Sequence, residues 1–159
     1  MEPLFAHILD WRSLALLVAS QATPVLLGRA FGQRYAAPID GGRVLSDGEP
    51  VFGSHKTWRG LIGGTVAAAL VGGLLELGFL LGAAFGLIAL LGDLVSSFAK
   101  RRLGRRSGSD VPLVDQIPEA LLPMLTLYFP LGLNVGSLLG TVAVFAVLDF
   151  VVTRRLGAA

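Results

Sequence analysis

The sequence predicts an all-α, polytopic integral membrane protein. Five transmembrane helices are joined by two long cytoplasmic loops, with the N-terminus out and the C-terminus in. Three observations predict this. Hydrophobic residues make up 53% of the 159-residue chain and charged residues only 15%, whereas a soluble domain carries about 25% charged residues. Mean hydropathy is +0.71. Five apolar stretches approach the about 20 residues, or about 17 at the short end, that a helix needs to cross the hydrocarbon. No stretch alternates apolar and polar residues as strands of a membrane β-barrel do.

The spans are taken in order. The first, about 13–30, is interrupted by Pro24. The second, about 61–77, is rich in Gly and Ala, and the third, about 77–98, follows so soon that Glu76–Gly78 must form a tight turn. The fourth, about 118–133, contains Pro123 and Pro130, and the fifth covers about 135–153. Polar segments at about 31–60 and 99–117 form the two loops, and the whole chain, 1–159, reads as one transmembrane domain. Acidic Glu2 and Asp10, without a basic run, give no signal-peptide pattern before the first span. Small-residue pairs at Gly60 and Gly64, and along Gly78, Gly82 and Gly86, let helix backbones approach closely. Plain helix packing accounts for them, and they leave room for a homodimer.

The basic residues orient the chain. Twelve of its thirteen Lys and Arg lie in or beside the two loops or at the C-terminus, leaving only Arg12 for the other side. Positive residues stay on the cytoplasmic side, so both loops face the cytoplasm. A net charge of +2 gives no reason to expect nucleic acid as a partner. The absence of cysteine excludes disulfide scaffolds, thiol catalysis and Cys-ligated metal sites.

Chemistry-bearing residues concentrate in the loops. On a helix, Asp93, Ser97 and Lys100 share one face, with Gly86 close to it. A carboxylate near the end of a span is costly unless it meets protein, water or a cation. Carboxylate, hydroxyl and ammonium in a row suit a hard cation with phosphate; a structural Asp93–Lys100 pair capping the helix is the plainer alternative. In the first loop, Gly48, Gly53, Lys56, Thr57 and Arg59 precede a helix start and offer backbone N–H groups and cations to phosphate. The Walker pattern fails because Ser54 and His55 separate Gly53 from Lys56, which excludes a P-loop NTPase. Asp115 is the carboxylate best placed to converge with Asp93 on a metal. Asp110, Asp40 and Asp47 fit turn and capping roles equally well. Glu76 reads as a solvated turn residue, Asp149 as a partner for Arg near the C-terminus, and His55 as a hydrogen-bonding loop residue.

Three stretches together resemble a known family. They are Asp47-Gly48 with His55-Lys-Thr-Trp-Arg-Gly-Leu-Ile-Gly-Gly64, then Gly92-Asp-Leu-x-x-Ser-Phe-x-Lys-Arg-Arg102, then Pro112-Leu-x-Asp-Gln116. The chain is similar to the archaeal CDP-archaeol synthases over nearly its whole length. The last two stretches also resemble the CDP-diacylglycerol synthases. The resemblance implies a membrane cytidylyltransferase that converts CTP and 2,3-di-O-geranylgeranylglycerol-1-phosphate to CDP-archaeol and pyrophosphate. It implies Mg²⁺ held by Asp93 and Asp115, with Lys56, Arg59, Lys100 and Arg101 on the phosphates. Thr57 and Ser97 would supply hydroxyls, and Asp110 and Gln116 would complete the nucleotide site. The active site would lie at the cytoplasmic face of the cell membrane. Two other readings are a small transporter or channel, for which the spans lack mid-depth polar residues apart from Gln21 and Thr23, and a non-catalytic binder of anionic lipid.

Overall fold

The computed structural model describes residues 8–105 and 116–156, with side chains through residue 152. Five helices follow one another: α1 (Trp11–Phe31), α2 (Trp58–Leu74), α3 (Phe79–Arg102), α4 (Gln116–Thr126) and α5 (Val135–Leu156). Successive helices run in alternating directions. One end of the bundle therefore collects the end of α1, the start of α2, the end of α3, the start of α4 and the end of α5. The long α1–α2 loop and the segment after α3 emerge at that end.

Local chemistry sets the boundaries. Asp10 caps α1 by accepting the Ser13 N–H at 3.1 Å, and Gly32, at φ 54°, ends it. Thr57 caps α2 by accepting the Gly60 N–H at 3.2 Å. Between α2 and α3 the expected tight turn forms at Leu75–Gly78: Glu76 has φ 59° and is exposed, and the N–H groups of Leu77 and Gly78 both donate to the Gly72 carbonyl. Basic Lys100, Arg101 and Arg102 in the last turn of α3 complement the negative end of its dipole.

Among the described residues, three helices are long and apolar enough to cross a membrane: α1, α3 and α5. α2 is a shorter apolar helix of 17 residues. The fourth expected span is the main departure. Helix α4 has only 11 residues, about 17 Å of axial length against a hydrocarbon core of about 30 Å. Pro123 already strains its last turns by removing an N–H donor. The chain then turns through Leu127–Gly132, with Pro130 inside the turn and Gly132 at φ 64°.

Small residues bring α1, α2 and α3 together. A Cβ on Gly82 would come within 2.4 Å of the Ala68 carbonyl oxygen, so only glycine admits this approach of α3 to α2. Pro24 has no N–H for the Ser20 carbonyl, and that carbonyl faces Gly64, where a Cβ would lie 2.5 Å away. Leu16, Leu17, Phe85, Ala89, Ala120, Met124 and Phe145 complete the buried core. Large apolar residues such as Val18, Leu26, Leu70, Leu80 and Val147 are exposed on the helices, as expected where lipid is the solvent. At the end away from the loops, the Asp10 N–H donates to Thr141 Oγ1 at 2.9 Å and fastens α1 to α5.

Candidate functional site

The α1–α2 loop is organised by backbone pairing and by three charged side chains. Asp40 is buried and accepts N–H bonds from Gly42 (2.9 Å), Phe52 (3.0 Å) and Gly53 (3.0 Å). Burial opposes its charge, but these backbone donors outweigh it and hold the carboxyl below the usual aspartate range. Asp47 is likewise lowered, first by the Glu49 N–H and also by Arg102, which meets its carboxylate at 2.5 Å. Both residues thus serve the loop, as their turn and capping reading anticipates. Arg59, in the first turn of α2, donates to the carbonyls of Gly32 and Arg34 and ties the exit of α1 to the start of α2.

The loop folds back over the bundle and encloses a cleft of about 550 Å³. α1 contributes Gln21, Pro24, Val25 and Gly28; the loop contributes Phe52, Ser54, His55 and Lys56; α3 contributes Asp93, Ser97, Lys100 and Arg101. Thr57 and Arg59 line it from the start of α2, whose positive dipole end favours an anion there. The Thr57 hydroxyl oxygen is engaged as the helix cap, so only its proton is left to offer.

Lys56 is the centre of the cleft's electrostatics. Its Nζ donates to both oxygens of Asp93, at 2.6 and 2.5 Å. The two side chains keep 25% and 16% of their exposure, so the pair is largely withdrawn from water. The carboxyl of Glu119, buried on α4, touches that of Asp93. Asp149 of α5 lines the same cleft and accepts from Gln116 Nε2 at 2.8 Å. Three acidic side chains from three helices therefore face a set of cations: Lys56, Lys100 and Arg101, the last two almost completely buried. Ser97 is buried beside them, and the Ser96 hydroxyl turns back to the Asp93 carbonyl.

The structure brings together Lys56, Thr57, Arg59, Asp93, Ser97, Lys100 and Arg101 in one cleft and sets Gln116 against it through Asp149. Asp110 and Asp115 lie outside the described residues. Sequence reasoning missed Glu119 and Asp149. Asp149 binds Gln116, and the side chains of the C-terminal arginines expected to pair with it lie outside the described residues. The signal for both was present, since each is a carboxylate inside an apolar segment, where a charge needs a partner. Carboxylate oxygens are the right donors for a hard cation, and Mg²⁺ takes only one or two of them beside substrate phosphates and water. Asp93 and Glu119, in contact within the cleft, fit that demand.

Comparison with known proteins gives this arrangement a lineage. The chain is 46% identical over 113 residues to the CDP-archaeol synthase of Thermococcus onnurineus, covering 62% of this chain and 61% of that protein. It is 41% identical over 123 residues to the CDP-archaeol synthase of Aeropyrum pernix, covering 68% and 67%. To that of Staphylothermus marinus it is 39% identical over 97 residues, covering 57% and 55%. The matches thus span a little over half to two thirds of these relatives' length. A solved intramembrane enzyme for archaeal membrane lipid biosynthesis superposes with a TM-score of 0.71 at 29% identity, over 87% of this chain and 90% of that one. The family model for CarS-like CDP-archaeol synthases matches residues 11–77 and 73–154, and the chain belongs to that family.

Proposed function

We propose that this chain is a membrane cytidylyltransferase that transfers CMP from CTP to 2,3-di-O-geranylgeranylglycerol-1-phosphate, giving CDP-archaeol and pyrophosphate. One observation carries the reading: a single cleft at the loop end of an apolar helix bundle holds Lys56, Lys100 and Arg101 against Asp93, Glu119 and Asp149. Cations suit a triphosphate, the carboxylates suit its counter-ion, and the bundle suits a lipid co-substrate.

In the reaction an oxygen of the lipid phosphate attacks the α-phosphorus of CTP. A new phosphorus–oxygen bond forms, and the bond from the α-phosphorus to the bridging oxygen breaks. Pyrophosphate leaves with that electron pair. The monoester is already a nucleophile, so catalysis is mainly positioning and charge stabilisation. Lys100 and Arg101 are buried and preorganised, and they stabilise negative charge on the departing pyrophosphate. Lys56 stands between the phosphates and Asp93, neutralising one and orienting the other. Ser97 offers its hydroxyl to a phosphate oxygen, and Thr57 offers its proton. Asp93 and Glu119, together with Asp115, would hold Mg²⁺, and the ion would supply charge neutralisation to the phosphates. Cytosine needs an acceptor for its N4 amine, and the loop carbonyls offer that chemistry.

By this reading the loop end faces the cytoplasm, supported by the twelve basic residues assigned to that side. The test is a radiolabelled-CTP assay on the purified chain in detergent, with archaeal and bacterial lipid phosphates side by side. Mg²⁺-dependent formation of labelled CDP-lipid is expected, with the isoprenoid substrate preferred. No label transfer to either lipid overturns the reading, and nucleotide-independent solute flux in liposomes would favour a transporter.

A further inference from the structure

Arg102 closes α3 and stands outside the cleft lining. Its terminal nitrogens are spent on the α1–α2 loop. Nη1 donates to Asp47 at 2.5 Å, and Nη2 donates to the carbonyls of Pro50 at 2.6 Å and Glu49 at 3.2 Å. Its Cζ stacks 5.2 Å from the centre of the Phe98 ring, one turn back on the same helix. All three acceptors sit on one small hairpin, closed by Leu45 N–H to Glu49 O and Val51 N–H to Arg43 O. That hairpin runs directly into Phe52, Ser54, His55 and Lys56, which wall the cleft. α3 thus grips the loop twice, through Arg102 at the hairpin and through Asp93 at Lys56. The two grips are separated by about 14 Å along the helix axis.

We propose that Arg102 is a positioning residue for the nucleotide. Its fork fixes the hairpin against the end of α3 and so fixes where Phe52–Lys56 stand relative to the triphosphate. The inference rests on the CTP reading above. An exposed ion pair alone contributes little, but a planar guanidinium that spans a carboxylate and two carbonyls while stacked on Phe98 cannot be replaced by a lysine ammonium. Arg102 touches none of the cleft's charged groups, so its loss should act on nucleotide binding more than on the chemical step.

The test compares wild type with Arg102→Ala, Arg102→Lys and Asp47→Asn, as full chains in detergent. The readouts are kcat, KM for CTP, KM for the lipid phosphate, and amide hydrogen exchange at Leu45 and Val51. Arg102→Ala should raise KM for CTP about tenfold while kcat and the lipid KM move less than about twofold, the pattern of lost ground-state positioning. Exchange at Leu45 and Val51 should quicken. Arg102→Lys should recover only a minor part. Asp47→Asn, an exposed change that spares the carbonyl bonds, should shift KM for CTP in the same direction by less, and it serves should Arg102→Ala not fold. Faster exchange with an unchanged KM for CTP overturns the proposal, as does unchanged exchange, or an equal rise in KM for both substrates. A wild-type chain inert toward CTP would sink the parent reading and this one with it; an active wild type with an unaltered Arg102→Ala sinks this one alone.

Discussion

Lys56 Nζ lies within 2.6 Å of both carboxylate oxygens of Asp93, although 37 residues separate them in the chain. One residue belongs to the loop ahead of α2 and the other to α3. Their meeting closes the loop over the bundle and gives the cleft its charge. Glu119 presses a second carboxyl against Asp93. Lys56 is the ammonium that pairs with Asp93 beside it.

Asp93→Asn should therefore keep the fold and lose the reaction. The amide keeps the shape and one acceptor for Lys56, but it loses the ion pair and the charge that would hold a divalent cation. We expect turnover to fall by about 100-fold or more, the scale seen when a preorganised electrostatic group is removed. The radiolabelled-CTP assay reads turnover, and thermal melting in detergent reads the fold. Full activity in Asp93→Asn would remove Asp93 from the metal site.

Glu119 is expected to show itself through the ion. Glu119→Gln removes a carboxyl oxygen that could ligate the ion beside Asp93, with little change in volume. The Mg²⁺ concentration giving half-maximal rate should rise about 10- to 100-fold, as when groups supporting a metal ligand are lost. Glu76→Gln, at the exposed turn on the opposite end, should leave the Mg²⁺ titration where it was. Identical titrations for Glu119→Gln and wild type would exclude Glu119 from ion binding.

Gly92 links packing to the site. A Cβ there would lie 2.4 Å from the Pro118 carbonyl oxygen and 3.0 Å from the Glu119 nitrogen, both backbone atoms that cannot swing aside. Gly92→Ala must push α4 away from α3 precisely where Asp93 and Glu119 adjoin. A destabilisation of about 1–3 kcal/mol is expected from such overpacking, together with a loss of activity larger than the melting shift explains. Unchanged melting and activity would show that α4 does not need this contact.

Asp40 should make the loop acid-sensitive. Its folded pKa lies below the unfolded value, so the loop gains stability from its charge above the ordinary aspartate pKa of about 3.9. That gain should fade as pH falls from there through the lower folded value. Hydrogen exchange at the Phe52 and Gly53 amides, corrected for intrinsic rate, should stay slow down to that window and quicken below it. Asp40→Ala should give quick exchange at every pH, at a cost of about 2 kcal/mol in loop closure. A difference between wild type and Asp40→Ala that does not shrink as the pH falls would contradict this account.

Much of the protein was legible before folding. The bulk of α1, α3 and α5 could be read from hydropathy, and the turn at Glu76–Gly78 from the lack of residues between two spans. Lys56, Asp93, Ser97, Lys100 and Arg101 could be read from polar residues set beside apolar helices. The prolines that shorten α4 were also visible, but a hydropathy window does not register that Pro123 and Pro130 break the helix it measures. The charge of Arg59 reads as a phosphate contact; the fold sets the residue in the cleft lining and also ties its guanidinium to the carbonyls of Gly32 and Arg34, which no local pattern shows.

The sequence by itself determined the class of the molecule and the two loops that carry its chemistry, because hydropathy and charge placement act locally along the chain. Only the tertiary structure decided that Lys56 reaches Asp93, that Glu119 and Asp149 join them, and that Arg102 turns away from the cleft to hold its wall. Those choices depend on how closely helices approach at Gly64, Gly82 and Gly92. Such long-range packing has no periodic signature, since the burial that selects it exists only once distant segments have met.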